Sequence, residues 1–209
     1  MKEIVLIGGG KNSKVIIGII EELEEYRIIG IIDLPHKVGG QVLTYRVIGT
    51  DAEMGTDKIS AEYGCVTIGG NLHQRKKLYG FGKDAGLDFP SIISKASNIS
   101  KYSAIGFGSV IMPSSTINPD ATIGENCIIN TGAIVEHDCM IGNHCHISPG
   151  AVLNGSVEVG DLSHIGANAT VLPGMRIGSN ATVGAGSVVT RNVDENTTVA
   201  GVPASKLAG

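Results

Sequence analysis

From Ile93 onward the chain places an aliphatic residue at every sixth position, from Ile93, Ile99, Ile105 and Ile111 to Val183 and Val189, seventeen in succession without a slip. Four residues after each of the first sixteen comes a second row, nearly all small: Ser97, Ser103, Ser109, Ser115, Ala121, Cys127, Ala133, Cys139, Cys145 and so on to Ser187. A period of six matches neither the 3.6-residue turn of an α-helix nor the two-residue alternation of a strand. A parallel β-helix satisfies it. Three six-residue sides close one coil, and successive coils stack about 4.8 Å apart as parallel strands. The aliphatic row fills the axis, and the three row cysteines are inert small packing. Glycine often follows the aliphatic position, as at Gly106, Gly124, Gly142, Gly160, Gly166, Gly178 and Gly184, where a tight corner is expected to need positive φ.

Composition agrees with such a core. The 209 residues include 30 Gly but no Trp, three Phe and five Tyr, so small aliphatics rather than rings must fill the interior. Charged residues are 17% and the net charge is −4, which gives no electrostatic basis for gripping nucleic acid. The mean hydropathy is +0.19. Its apolar runs, at Ile4–Ile7, Val15–Ile20 and Ile28–Ile32, fall far below the roughly 18 residues of a membrane span. Met1-Lys2-Glu3 leads straight into a strand-like run, and four scattered cysteines form no disulfide framework, so the chain reads as soluble, reduced and cytoplasmic.

Ahead of the repeats, Glu3–Gly8 reads as a strand, Gly8-Gly9-Gly10 as a turn, Lys14–Glu25 as a helix and Arg27–Asp33 as a second strand. A third strand at Cys65–Ile68 runs into Gly69-Gly70-Asn71 and a helix through Gln74–Tyr79. This is a half-Rossmann βαβ domain, residues 1–88, preceding an all-β domain, residues 89–209. A glycine turn lets phosphates approach backbone N–H groups at a helix N-terminus, and Asp33 can accept from ribose hydroxyls, which points to a nucleotide. The dinucleotide fingerprint is incomplete, since Ser13 stands at its third glycine position. A turn glycine and a strand-ending Asp with purely structural roles is the plainer alternative.

The pattern aliphatic-Gly-x-x-small-x, with Gly201-Val202-Pro203-Ala204 near the end, resembles the left-handed β-helix acyltransferases. The left hand of the coil is implied by that resemblance alone. With the βαβ domain in front, nearly the whole chain is similar to the sialic-acid and nucleotide-amino-sugar acetyltransferase branch, the NeuD/PglD type. The resemblance implies that the N-terminal domain cradles a UDP-sugar through Gly8, Gly10, Asp33 and the segment Ile68-Gly69-Gly70-Asn71. Where the family commonly has Gly-Gly-His, this chain reads Gly10-Lys11-Asn12, so Asn12 replaces a histidine and Lys11 adds a cation able to meet a phosphate.

Acetyl transfer from a thioester needs a base for the acceptor's proton, and a histidine titrating near neutrality suits it. Glu136-His137-Asp138 matches the family's acidic-flanked histidine, which implies His137 as base, with Asp138 or Glu136 orienting it and raising its basicity. By the same matching, His146 contacts acetyl-CoA near the thioester. Gly166-Ala167 and Gly184-Ala185-Gly186 border the pantetheine arm, and the region after Arg191, including Lys206, closes over the CoA end. A homotrimer with active sites between the β-helices of adjacent chains is likewise implied. His146 and His164, 18 residues apart, are expected to stack one coil apart, and His36, His73, His144 and His164 are read as packing or solvent-facing. A metal site from His137, Cys139, His144, Cys145 and His146 is disfavoured, because these residues fall at four different phases of the repeat; no metal is expected. The expected function is acetyl-CoA-dependent acetylation of an amino sugar for cell-surface glycans, foremost the amine of a UDP-4-amino-sugar. Sialic-acid O-acetylation is the alternative, and a nucleotide-binding sensor or oxidoreductase on a trimeric scaffold is the rival of another class.

Overall fold

A computed structural model describes residues 1–56 and 58–207, so the last two residues of the expected second domain lie outside the described residues. The chain divides into two compact units, the first ending at Lys95 and the second starting at Ala96. The first runs past residue 88 because the short strand Ile92–Ile93 packs against a helix of that unit, burying Ile92 completely.

In the first unit, β1 (Lys2–Ile7) leads through the glycine turn into α1 (Ser13–Leu23), which returns to β2 (Tyr26–Ile32). Next come the short strands β3 (Gln41–Val42) and β4 (Tyr45–Gly49), then β5 (Tyr63–Val66) and α2 (Leu72–Asp84). The sheet order is β3-β4-β2-β1-β5, parallel except for the β3–β4 hairpin. Ile4 to Ile7 are buried in succession, the pattern of a central parallel strand covered on both faces, and α1 buries Ile16, Ile17, Ile19 and Ile20. The βαβ reading therefore holds, with ends shifted by one or two residues in the strands and further in α2. Asn71 starts α2 early by accepting from the Gln74 amide at 2.9 Å. The β3–β4 edge has no clear alternation in sequence and was not anticipated.

The second unit is a parallel β-helix of two-residue strands. Thr116 pairs with Asn98 on one side and Ile134 on the other, a register of 18 residues that recurs through three sheets. From Ile111 to Val189 every member of the aliphatic row is at most 4% exposed, whereas Ile93, Ile99 and Ile105 are only half-buried. Cys127, Cys139 and Cys145 are fully buried in the small row, their thiols donating to the carbonyls of Gly142, Asn154 and Gly160.

The corners correct one expectation. Positive φ falls three residues after the aliphatic position, at every such site from Gly108 to Gly186, including Asp120, Asn126, Asp138, His144 and Asn168. The glycines directly after the aliphatic position serve the stacking of coils instead. A Cβ on Gly106 would lie 2.6 Å from the Gly124 carbonyl carbon, and one on Gly166 would lie 2.5 Å from the Ala185 amide nitrogen.

Candidate functional site

Register builds the histidine corner. Glu136, His137 and Asp138 occupy one corner of the coil, and left-handed backbone at Asp138 (φ 59°) turns its carboxylate back to the imidazole. His137 Nδ1 lies 2.7 Å from Asp138 Oδ2, which leaves Nε2 as the outward nitrogen. Glu136 turns away and accepts from Asn118 Nδ2 at 2.8 Å, one coil earlier. Of the two carboxylates, Asp138 orients the ring. Its hydrogen bond raises the His137 pKa above the ordinary histidine value, desolvation opposes the rise, and the charges of Asp138 and Glu136 add to it. The ring projects into an open cavity of about 530 Å³ floored by Asn154, Gly155, Ser156, Pro173 and Gly174. Gly155, eighteen residues after His137, is the neighbour that sequence reasoning missed. The repeat's own register identifies it.

His146 sits on a different side of the same coil. Its Nε2 lies 3.0 Å from Asn130 Nδ2, and its ring stacks on His164 with centroids 5.1 Å apart and planes 15° apart, as the spacing predicts. His164 Nε2 meets Ser148 Oγ at 2.7 Å, and burial lowers its pKa. The strands carrying His146 and His164, the corners at Gly166-Ala167 and Gly184-Ala185, and the terminal strand with Lys206 follow one edge of the coil. One chain thus gathers the residues matched to CoA on one edge and the Glu136-His137-Asp138 corner on another. The amides of Gly166 and Gly184 are consumed by ladder bonds to the Val183 and Val199 carbonyls, at 2.8 and 2.7 Å, so these two N–H groups are closed to a ligand.

The first unit has its own cleft, a cavity of about 480 Å³ at the carboxyl ends of β1 and β2. Gly8, Gly10, Asp33 and Asn71 line it, with Gly9 of the same turn, and they are joined by Leu34, Lys37, Asp51 and Gln74, to which sequence reasoning gave no binding role. Lys11, Asn12 and Gly69 are not among the lining residues. Asn12 already has helical backbone, and its side chain donates to the Thr67 carbonyl at 3.0 Å, tying the turn to the end of β5. Gly69 packs against that same side chain, and Lys11 points to solvent. Asp33 accepts from Gly9 N at 2.8 Å, Leu34 N at 2.7 Å and Lys37 Nζ at 2.9 Å. Burial pushes its carboxyl up, but hydrogen bonds from Lys37, Leu34 and Gly9 outweigh that and hold it below the usual carboxylate value. Gly9 is required here, since a Cβ would lie 2.8 Å from Asp33 Oδ2.

A further groove, about 630 Å³, crosses the sheet face at Met140, Glu158 and Arg176 and contains none of the candidate residues. Among the described residues, no group of three or more His, Cys, Asp or Glu side chains is placed to hold a metal ion.

Residues 3–80 match the PglD N-terminal domain model, residues 102–137 and 138–173 match the bacterial transferase hexapeptide model, and 156–191 match the hexapeptide repeat of succinyl-transferase. No curated protein matches the chain. Among solved structures, PerB from Caulobacter crescentus, in complex with CoA and GDP-perosamine, is 34% identical with a TM-score of 0.93, covering 100% of this chain and 98% of its own. The acetyltransferase domain of PglB from Neisseria gonorrhoeae FA1090, in complex with acetyl coenzyme A, is 31% identical with a TM-score of 0.91 and 99% coverage of both chains. This chain belongs to the NeuD/PglD-type acetyltransferase family. WeeI from Acinetobacter baumannii AYE is 26% identical over 99% of this chain and 100% of its own, with a TM-score of 0.88. Membership makes the second unit a left-handed β-helix and the protein a CoA-dependent acyltransferase. No described helix is long and apolar enough to cross a membrane.

Proposed function

We propose that this acetyltransferase transfers the acetyl group of acetyl-CoA to the amine of a nucleotide-diphosphate-linked amino sugar, a UDP-4-amino-sugar in the first instance, for cell-surface glycan synthesis in the cytoplasm. The observation that carries the reading is the His137–Asp138 contact of 2.7 Å, which anchors Nδ1 and presents Nε2 to the open cavity. His137 Nε2 takes the proton of the acceptor amine as the amine nitrogen attacks the thioester carbonyl. The C–S bond then breaks, and the imidazolium returns its proton to the departing thiolate. Asp138 stabilises the imidazolium between those steps. The first unit, with Gly8, Gly10 and Asp33, takes the nucleotide end. The second unit supplies the acyl-transfer chemistry.

PerB in complex with CoA and GDP-perosamine supports the acceptor class, and PglB in complex with acetyl coenzyme A supports the donor. The proposed assembly is the homotrimer that the family resemblance implies, and the separation of the two edges within one chain supports it. In that assembly the edge that carries His146, Ala167, Ala185 and Lys206 would face the His137 corner of the next chain, and a lone chain would lack a complete site.

The test is thiol release from acetyl-CoA with UDP- and GDP-linked amino sugars, their hydroxy counterparts and free sialic acid. Turnover confined to the amines supports N-acetylation, and turnover on sialic acid alone would move the assignment to O-acetylation. No thiol release with any acceptor, together with tight nucleotide binding, would contradict transfer and favour a sensor.

A further inference from the structure

The cleft of the first unit contains an ion pair that its glycine turn is shaped around. Asp33 directly follows β2, its side chain 9% exposed, and Lys37, one turn further along the Pro35–Lys37 segment, reaches back to Oδ2. A carboxylate offers about four lone-pair positions. Gly9 N and Lys37 Nζ fill both positions on Oδ2, and Leu34 N fills one on Oδ1. One acceptor position therefore remains, on Oδ1. The Lys37 ammonium has three protons, of which one is spent on Asp33, and its side chain is 41% exposed. An acceptor and a donor thus stand side by side at the end of β2.

Charge decides what can meet them. A diphosphate placed here would face the Asp33 carboxylate, with Asp51 also on the cleft wall, so phosphates belong toward the Gly8–Gly10 turn and the N-terminus of α1. A neutral group that donates through one oxygen and accepts through its neighbour fits the remaining pair, and a vicinal diol is such a group. We propose that Asp33 and Lys37 together read the 2′,3′-diol of the acceptor's ribose, with Lys37 as the specificity-determining residue, so that ribonucleotide-linked sugars are taken and 2′-deoxyribonucleotide-linked sugars are rejected. The inference rests on the reading that this cleft takes the nucleotide. The 3′-hydroxyl donates to Asp33 Oδ1 and the 2′-hydroxyl accepts from Lys37 Nζ. Removal of the 2′ oxygen leaves the Lys37 ammonium without that partner in a cleft that a bound nucleoside closes to water, worth about 10- to 150-fold in affinity.

The experiment compares kcat/KM for a UDP-amino-sugar and its 2′-deoxy counterpart in the wild-type enzyme, Lys37→Met and Lys37→Arg. The wild type should prefer the ribonucleotide by about 10-fold or more, chiefly through KM. Lys37→Met should bring the two substrates to within about threefold by weakening the ribonucleotide alone, and Lys37→Arg should retain part of the preference. KM for acetyl-CoA should stay unchanged in both variants. Equal use of both substrates by the wild type would overturn the proposal, as would a Lys37→Met variant that weakens both equally. If the wild type turns over neither substrate, the functional reading fails separately. Calorimetric binding of UDP against 2′-deoxy-UDP to wild type and Lys37→Met then decides the diol proposal, which equal affinities would overturn.

Discussion

Gly155 gives the His137 imidazole its place: a Cβ at position 155 would stand 2.7 Å from His137 Cε1 and 2.8 Å from Nε2. The two residues lie one coil apart, and the Ser156 amide donates to the His137 carbonyl at 2.9 Å, which fixes their register. Position 155 has no positive φ, so alanine there is tolerated by the backbone and resisted only by the ring. Gly155→Ala is expected to swing the imidazole off its line and lower kcat roughly 10- to 100-fold, with the melting temperature within a few degrees of wild type. Steady-state kinetics and a thermal melt check this, and an unchanged kcat would show that ring placement tolerates the methyl group.

Asp138 sets the pH range in which His137 can act. The base must be neutral, and its pKa lies above the ordinary histidine value of about 6.5, so kcat should rise with pH through a midpoint above that value. Asp138→Asn removes the hydrogen bond that is the largest cause of the rise. The midpoint should then fall toward the ordinary value while the plateau drops about 10- to 100-fold. The same contact acts on stability with the opposite sense of pH. A raised folded-state pKa gives stabilisation that is present below the unfolded value and is lost as pH rises through the folded one. A midpoint that stays put in Asp138→Asn would show that another group tunes the base.

Coil stacking makes a third expectation independent of catalysis. Gly166 is fully enclosed, with the Ala185 nitrogen, the Val183 oxygen and the Gly184 carbonyl carbon 2.5 to 2.7 Å from any Cβ placed there. These are backbone atoms and cannot rotate aside, so Gly166→Ala should destabilise the protein by about 1–3 kcal/mol. Gly10→Ala, whose Cβ would meet nothing within 4 Å, should leave the melting temperature nearly unchanged. Chemical denaturation of the two variants separates these outcomes, and equal stabilities would contradict the stacking explanation for the coil glycines.

The β-helix was legible in sequence because its core repeats a residue type at fixed spacing, from Ile93 to Val189. The conformation of its corners was not. Left-handed backbone falls on Asp120, His144, Leu162 and Gly174 alike, so no one residue type announces it. The glycines that do stand out, such as Gly166, answer to backbone of the following coil, a contact invisible to local reading. Glu136-His137-Asp138 was legible as a tripeptide, but which carboxylate holds the ring depends on Asn118 drawing Glu136 away. Lys37 was missed for a similar reason. It reaches Asp33 through a short 3-10 turn with no periodic signature, and only the folded cleft places the ammonium beside the carboxylate.

The most direct test of the central claim is acetyl transfer by His137→Ala, measured as thiol release with the best nucleotide-linked amino-sugar acceptor, alongside calorimetric binding of that acceptor and of CoA. His137 is exposed and holds no packing role, so the variant should fold and bind both ligands with affinities near wild type. kcat should fall by about 100- to 10,000-fold, the span of a general base. Turnover within a few-fold of wild type, with both ligands bound, would contradict the assignment of His137 as the residue that takes the acceptor's proton.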